Sequence, residues 1–252
     1  MTFTPCSQST APCLIDILAV AAHRDDVEQT CGGTLLAMHA RRWRTGILDL
    51  TQGESGTRGT AADRAAEAEA AGRILSVTHR EALDLPDGNV QNTYENRLKI
   101  AAVLRRLRPR VVILPYWQGR HPDHYTTATL GYEACFLSGL SKIEIPGAEQ
   151  LAPYRPYKIL YASLYADVRP SFVVDITPWI ERRLEALLAY RSQYSTQSTG
   201  GTLFVPEEDI RERTFATARH YGLLAGVRYA EPFIQKEVAL VEDIMLLPVQ
   251  SI

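Results

Sequence analysis

Two stretches of this chain constrain its fold more than any others. Residues 14–22 (LIDILAVAA) and 110–115 (RVVILP) are nearly unbroken apolar runs rich in branched side chains. A strand with one face in water alternates apolar and polar residues, so continuous runs of this length predict strands buried on both faces. Helical patterns fall between such runs. Residues 33–42, 61–75, 94–107 and 123–137 read as helices, and 45–50 (TGILDL) and 81–85 as further strands. The helix at 61–75 places Ala65, Ala68, Ala71 and Leu75 on one side, and that at 94–107 places Leu98, Ala101, Ala102 and Leu104 together. Later come strands at 161–165 and 172–176 and helices at 178–194 and 207–223. Strands alternating with helices predict an α/β fold: a Rossmann-like three-layer sandwich, its mostly parallel central sheet covered by helices on both faces.

The chain has 252 residues, 46% of them hydrophobic, enough for one large domain with a full core. That domain is expected over 14–252, preceded by a loose tail, 1–13, rich in Ser, Thr and Pro. The tail has neither a basic start nor an apolar core, so it does not read as a signal peptide. The stretch 192–201 (SQYSTQSTGG) reads as a mobile surface loop. A net charge of −2 gives no basic surplus, which excludes nucleic acid as the expected partner. No apolar run is long enough to span a membrane. The four cysteines form no CxxC pair and fit a reduced, cytoplasmic setting.

In open parallel sheets, sites form outside the carboxyl ends of the strands. Here two such ends carry clustered metal-binding side chains. The first strand runs into His23-Arg24-Asp25-Asp26-Val27-Glu28, and the strand at 110–115 into Arg120-His121-Pro122-Asp123-His124. Imidazole and carboxylate are ordinary zinc ligands, and a catalytic zinc takes three, leaving a fourth position for water. The metal brings that water's pKa to about 7. Two adjacent aspartates then allow a division of labour, one binding metal and its neighbour taking the proton. Either segment alone would also serve as a helix cap or solvated turn. It is their joint occurrence at strand ends of one sheet that carries the chemistry. His39, His79 and His220 lack such company.

With these motifs in hand, the chain resembles the LmbE-like, or PIG-L-type, deacetylases. The resemblance rests on AAHRDDVEQTCGGTL, TQGESGTRGT with Arg64, LPDG, PYWQGRHPDH, SFVVDIT, YRSQYS and GVRYAEPF. It implies a zinc enzyme with a Rossmann-like fold that removes acetyl groups from N-acetylglucosamine derivatives. His23, Asp26 and His124 would bind the metal, with iron or cobalt as alternative occupants. Asp25 would be the general base, and His121, oriented by Asp123, would stabilise the oxyanion. The later segments look most like the branch that hydrolyses N-acetylglucosaminyl malate in bacillithiol synthesis. In that branch Arg64 and Arg120 would meet the carboxylates of a small anionic aminosugar substrate, and Arg155 would match a third family arginine there. The resemblance also implies a homo-oligomer, a trimer or hexamer.

One residue departs from the family pattern. The first motif usually reads His-Pro-Asp-Asp, and Arg24 stands at the proline. The change is expected to free the backbone and place a further charge at the mouth of the site, within reach of substrate. Within this enzyme class the sequence also leaves a deacetylase or amidase acting on another aminosugar conjugate, and outside it a catalytically silent sugar-binding relative and a two-metal phosphoesterase. An intact Asp25 argues against the silent relative, and the lack of a visible second ligand set against the phosphoesterase.

Overall fold

The computed structural model describes residues 15–164, 166–194 and 207–249, the side chain of Glu207 excepted. The tail at 1–13 with Cys6 and Cys13, Tyr165, and most of the 192–201 stretch lie outside the described residues.

Seven strands form one sheet in the order β3-β2-β1-β4-β5-β7-β6. They are β1 (Ile17–Ala21), β2 (Thr45–Asp49), β3 (His79–Ala82), β4 (Val111–Pro115), β5 (Lys158–Ala162), β6 (Phe172–Asp175) and β7 (Ala230–Ile234). The first five are parallel neighbours, and β7 runs antiparallel between β5 and β6. Strand β7 has no counterpart among the expected elements, because Glu231 and Pro232 interrupt its apolar pattern.

The helices are α1 (Asp26–Thr30), α2 (Gly32–Ala40), α3 (Ala61–Ile74), α4 (Tyr94–Leu107), α5 (Pro122–Ser138), α6 (Ile180–Leu188), α7 (Arg191–Tyr194) and α8 (Glu207–Leu223). The stretch 178–194, which reads as a single helix, is thus two, α6 and α7. All five residues of β1 and all five of β2 are buried. Successive side chains point to opposite faces of a strand, and the two cores sort accordingly. Leu18, Val20, Leu48, Val112 and Leu114 pack with Ile100, Val103 and Leu104 of α4 and Leu130 and Ala134 of α5. Ile17, Ala19, Ala21, Ile47 and Ile113 pack with Leu35 and Leu36 of α2, Ala68 and Ala71 of α3 and Ala186 of α6. Helix α4 therefore meets the sheet through Ile100, Val103, Leu104 and Leu107, while Leu98 and Ala102 flank a small separate cluster with Ile143 and Leu151.

Two buried polar networks fix the sheet to its helices. The Glu231 carboxylate, on β7, accepts from the backbone N–H groups of Gly33 and Thr34 (2.9 and 2.7 Å) and from the Thr34 hydroxyl (2.6 Å). It thereby serves the buried N–H groups at the start of α2, which have no partner within the helix, from 198 residues away, and Arg183 of α6 pairs with it at 3.2 Å. Gly33 has no alternative there, since a Cβ would sit 2.9 Å from both Glu231 Oε1 and Ile176 Cγ2. In the second network Arg80 bridges Glu28 (2.7 Å) and Asp49 (2.9 Å), and both Arg80 and Tyr190 donate to the carbonyl of Arg24.

The order of strands places the site. From β1 the chain moves outward to β2 and β3, then returns through α4 to β4 on the other flank of β1. Strands β1 and β4 pair directly, Ile17 beside Val111 and Ala19 beside Ile113. Their carboxyl ends form the switch point, where the loops diverge and leave a crevice. Among the described residues no helix is long and apolar enough to cross a membrane.

Candidate active site at the carboxyl ends of β1 and β4

Both histidine motifs open at this crevice. His23 opens the turn between β1 and α1, Asp26 begins α1, and His121 is the N-cap of α5 with Pro122 in its first turn. Proline is suited to that position, where its missing N–H costs nothing. His124 is carried inward on the same turn and is buried.

Two imidazole nitrogens and both oxygens of one carboxylate converge. His23 Nδ1 lies 3.2 Å from His124 Nε2 and 3.5 Å from Asp26 Oδ2, and His124 Nε2 lies 3.2 Å from Asp26 Oδ1. Tetrahedral ligands at about 2.0–2.1 Å from a zinc stand roughly 3.3–3.4 Å apart, so the triangle has the size the ion requires. The charge fits as well. Burial opposes a charge on His23, yet Asp26 beside it and hydrogen bonds to Asp123, Asp26 and Asp87 push its pKa up to about 12. Three carboxylates, Asp26, Asp87 and Asp123, lie against His23, a negative surround that suits a cation. The His/Asp group could therefore hold a metal ion.

The outer contacts revise the roles expected for several residues. The Asp123 carboxylate, expected on His121, instead lies 3.2 Å from His23 Nε2 and accepts from the backbone N–H groups of Gly88 (2.8 Å) and Val90 (3.1 Å). It orients His23, the usual office of a carboxylate behind a metal-binding histidine. Asp87, in the loop after β3, lies 3.2 Å from the same Nε2. The turn Pro86-Asp87-Gly88 is legible in the sequence, but nothing in it points to the metal site. Two groups among the described residues have metal-ligand spacing, the first being His23 with His121 and His124 and the second His23 with Asp87 and Asp123. The donors of the second are engaged: Asp123 accepts two backbone N–H groups, Asp87 Oδ2 accepts from Ser55 N, and the histidine is shared with the first group.

His121 stands beside the donor triangle, its ring centroid 4.6 Å from that of His23 and 4.8 Å from that of His124. Its Nδ1 accepts from the Asp123 backbone N–H at 3.2 Å, which leaves the ring proton on Nε2. Burial, and then the charges on His23 and His124, hold its pKa below the usual histidine value. His121 is thus a neutral donor at the edge of the site.

Asp25 is gripped on both oxygens. Arg64 Nη2 donates to Oδ1 at 3.1 Å, while the Tyr194 hydroxyl (2.6 Å) and Gln29 Nε2 (3.3 Å) donate to Oδ2. Nothing in the sequence singles out Tyr194 as a site residue, although YRSQYS is among the segments carrying the resemblance. Arg64, expected on substrate, is buried and spent on Asp25. Arg24 is no charge at the mouth: 8% exposed, it lies where Asp49, Arg80, Tyr190 and Arg64 act on its charge. Nor is its backbone loose, since two donors hold its carbonyl. Arg155 packs on Phe136, donating to that residue's carbonyl at 3.0 Å. Phe136 is near the end of α5, about 20 Å along the helix from His124, so Arg155 is no part of this site within the chain. Arg120, in the loop between β4 and α5, is exposed. His220, on α8, is exposed with Asp167 at 3.9 Å.

Fold and site together define a class: an open α/β sheet whose crevice carries a cluster of His and Asp side chains that could hold a metal ion, with a further carboxylate held beside it. Comparison with known proteins supplies the family. A family model for PIG-L, GlcNAc-PI de-N-acetylase, matches residues 18–135. The diacetylchitobiose deacetylase of Thermococcus kodakarensis is 30% identical over 232 residues, covering 85% of this chain and 80% of its own. The crystal structure of the conserved protein TT1542 from Thermus thermophilus is 40% identical, with a TM-score of 0.81, over 90% of this chain and 97% of that one. That of the N,N'-diacetylchitobiose deacetylase from Pyrococcus horikoshii is 27% identical, with a TM-score of 0.76, over 86% and 82%. The chain belongs to the PIG-L family of de-N-acetylases and is a hydrolase of amide C–N bonds.

Proposed function

We propose that this protein removes the acetyl group from an N-acetylglucosamine-type conjugate, with one divalent cation held by His23, Asp26 and His124. The observation that carries this reading is the donor triangle of 3.2–3.5 Å edges with Asp25 next to it in the chain. Nitrogen and carboxylate donors favour zinc, and iron or cobalt share the preference. When bound, such an ion supplies a Lewis acid that polarises the amide carbonyl and makes water acidic.

The chain's own residues supply the remainder. Asp25 takes a proton from the attacking water and delivers one to the departing amine. Arg64 and Tyr194 fix both oxygens of Asp25, so that it need not reorganise as the reaction proceeds. His121 Nε2–H donates to the developing oxyanion. Asp123 and Asp87 hold His23 in the tautomer that presents Nδ1 to the metal. A silent sugar-binding relative would have no use for a base gripped in this way.

For the substrate, resemblance of the later segments supports N-acetylglucosaminyl malate, with Arg120 at the rim as the cation that meets a carboxylate. A second reading is favoured by the names of two relatives and by the commitment of Arg64 to Asp25: a neutral diacetylchitobiose-type sugar. Acetate release measured on both compounds decides between them. A kcat/KM at least about tenfold higher on the malate conjugate, the scale of one charge-assisted hydrogen bond, supports the first. The reverse order supports the second, and no acetate from either contradicts the proposed reaction.

A further inference from the structure

The edge of the sheet opposite the crevice carries a second concentration of charge. Segments 29–48, 96–122 and 151–166, which hold the amino ends of β2, β4 and β5, contain no Asp or Glu. They do contain RRWR at 41–44 and RRLRPR at 105–110. Arginine near a helix C-terminus is ordinary, because it complements the helix dipole. Several of these side chains are engaged with carbonyls or with an acid. Arg41 donates to the Ala37 carbonyl at 3.0 Å, Arg105 to those of Ser138 (3.0 Å) and Leu140 (2.7 Å), and Arg106 to Glu81 at 2.6 Å. Arg108 and Arg110 stand apart: among the described residues neither forms an ion pair. Residues 1–14, which precede this edge in the chain, hold no acidic side chain.

Arg108 and Arg110 line a cleft of about 510 Å³ together with Asp16, Arg44, Tyr154 and Tyr157. That volume is in the range of small-molecule sites. Asp16, Arg44, Arg110 and Tyr157 immediately precede β1, β2, β4 and β5, respectively, so the cleft lies roughly 20 Å along β1 from His23. Its guanidinium groups are held in place. That of Arg108 lies 4.5 Å from the ring centroid of Tyr154, whose hydroxyl donates to the Pro109 carbonyl at 2.9 Å. That of Arg110 lies 5.5 Å from the ring centroid of Trp43. Arg44 is fixed on the Asp16 carboxylate through its backbone N–H (2.9 Å) and Nε (3.1 Å). Stacking occupies the face of a guanidinium and leaves the N–H groups at its edge for a ligand. Among the described residues Asp16 is the one carboxylate lining the cleft, so three cations against one anion leave two positive charges uncompensated. Like charges gathered in this way repel, and a dianion between them relieves the repulsion.

We propose that this cleft binds a small molecule carrying two adjacent phosphate groups, either free pyrophosphate or the diphosphate of a nucleotide. Two uncompensated cations call for at least two negative charges. Arginine meets phosphate through two parallel N–H donors. The cations come from separate segments, Arg44 from one and Arg108 and Arg110 from another, and so approach a ligand from more than one direction. A tetrahedral phosphate accepts from several directions, whereas a carboxylate accepts in its own plane. Tyr157, 76% exposed, adds a ring face of the kind on which a base stacks. Nothing in this binding depends on the crevice or on its substrate.

The test is isothermal titration calorimetry of the full chain with pyrophosphate, ADP, adenosine and succinate. Pyrophosphate and ADP are expected to bind one per chain, and adenosine and succinate at least about tenfold more weakly, the scale of one charge-assisted hydrogen bond. Arg108→Gln and Arg110→Gln should each weaken pyrophosphate by about tenfold or more, with unchanged circular dichroism, because neither side chain belongs to the core. Asp26→Ala, beyond the other end of β1, should bind pyrophosphate as the wild type does. Equal affinity for pyrophosphate and ADP identifies free polyphosphate as the ligand. A tighter ADP that loses its advantage in Tyr157→Ala identifies a nucleotide. Failure of both pyrophosphate and ADP to bind overturns the proposal, as does binding kept in both arginine variants. Binding lost in Asp26→Ala places the ligand in the crevice and overturns it equally. Succinate bound as tightly as pyrophosphate overturns the assignment to phosphate.

Discussion

At the scale of single residues the proposed chemistry turns on Asp25 and Asp26, adjacent in sequence and, in that proposal, separated in task. Asp25→Asn should retain bound metal and lose turnover by about a hundredfold, the scale of general-base catalysis. Asp26→Ala should lose the metal itself. Metal analysis and acetate release on both variants check this, and equal behaviour would refute the division. The grip on Asp25 adds a second prediction. A hydrogen bond to a charged group is worth about 1.5–3 kcal/mol, so Tyr194→Phe should lower kcat by at least about tenfold while metal content and KM stay near wild type. Arg64→Ala should reduce kcat/KM by a similar factor on charged and neutral substrates, since it acts through Asp25. Arg120→Ala should weaken only the carboxylate-bearing substrate. Measuring kcat/KM for each variant on both substrates separates the two arginines. The adjacent aspartates and the HPDH motif were legible because metal chemistry demands particular side chains close together in sequence. Tyr194 and Asp87 were not, because each meets its partner, Asp25 or His23, from a distant part of the chain. Neither motif containing them states that partner.

Elements were legible where burial imposes a pattern. Strands β1, β2 and β4 lie against both cores and announce themselves as apolar runs, and α4 and α8 end where their periodicity does. Strand β7 was not, for a reason that has a function: Glu231 breaks the run in order to serve α2. Removing that carboxylate strands Gly33 N, Thr34 N and Arg183 in a buried place. Glu231→Ala should therefore cost about 3–5 kcal/mol, as when a buried pair loses one partner. For a chain of this size that lowers Tm by roughly 6–20 °C. Calorimetry checks it, and a shift of less than about 2 °C, under 1 kcal/mol on the same scale, would mean that water replaces the carboxylate. Arg24 teaches the converse lesson. As a letter at the usual proline position it suggests a charge facing substrate, but the side chain turns inward toward Asp49 and Arg80. Position in the chain decides where a residue starts, and packing decides which way it faces.

The whole molecule is an open sheet whose loops at one rim gather residues from five segments: after β1, β3 and β4, and from α3 and α7. The sheet's switch point explains why two histidine motifs so far apart in the chain share one crevice. That arrangement was predictable from strand alternation. The central claim is that this crevice binds one metal ion and that the ion is required for amide hydrolysis. It is tested most directly by stripping the protein with a chelator, restoring zinc in steps, and measuring acetate release from an N-acetylglucosamine conjugate against metal bound per chain. Acetate release should be absent from the stripped protein and rise in proportion to metal up to one ion per chain. Hydrolysis that persists undiminished in metal-free protein would contradict the claim.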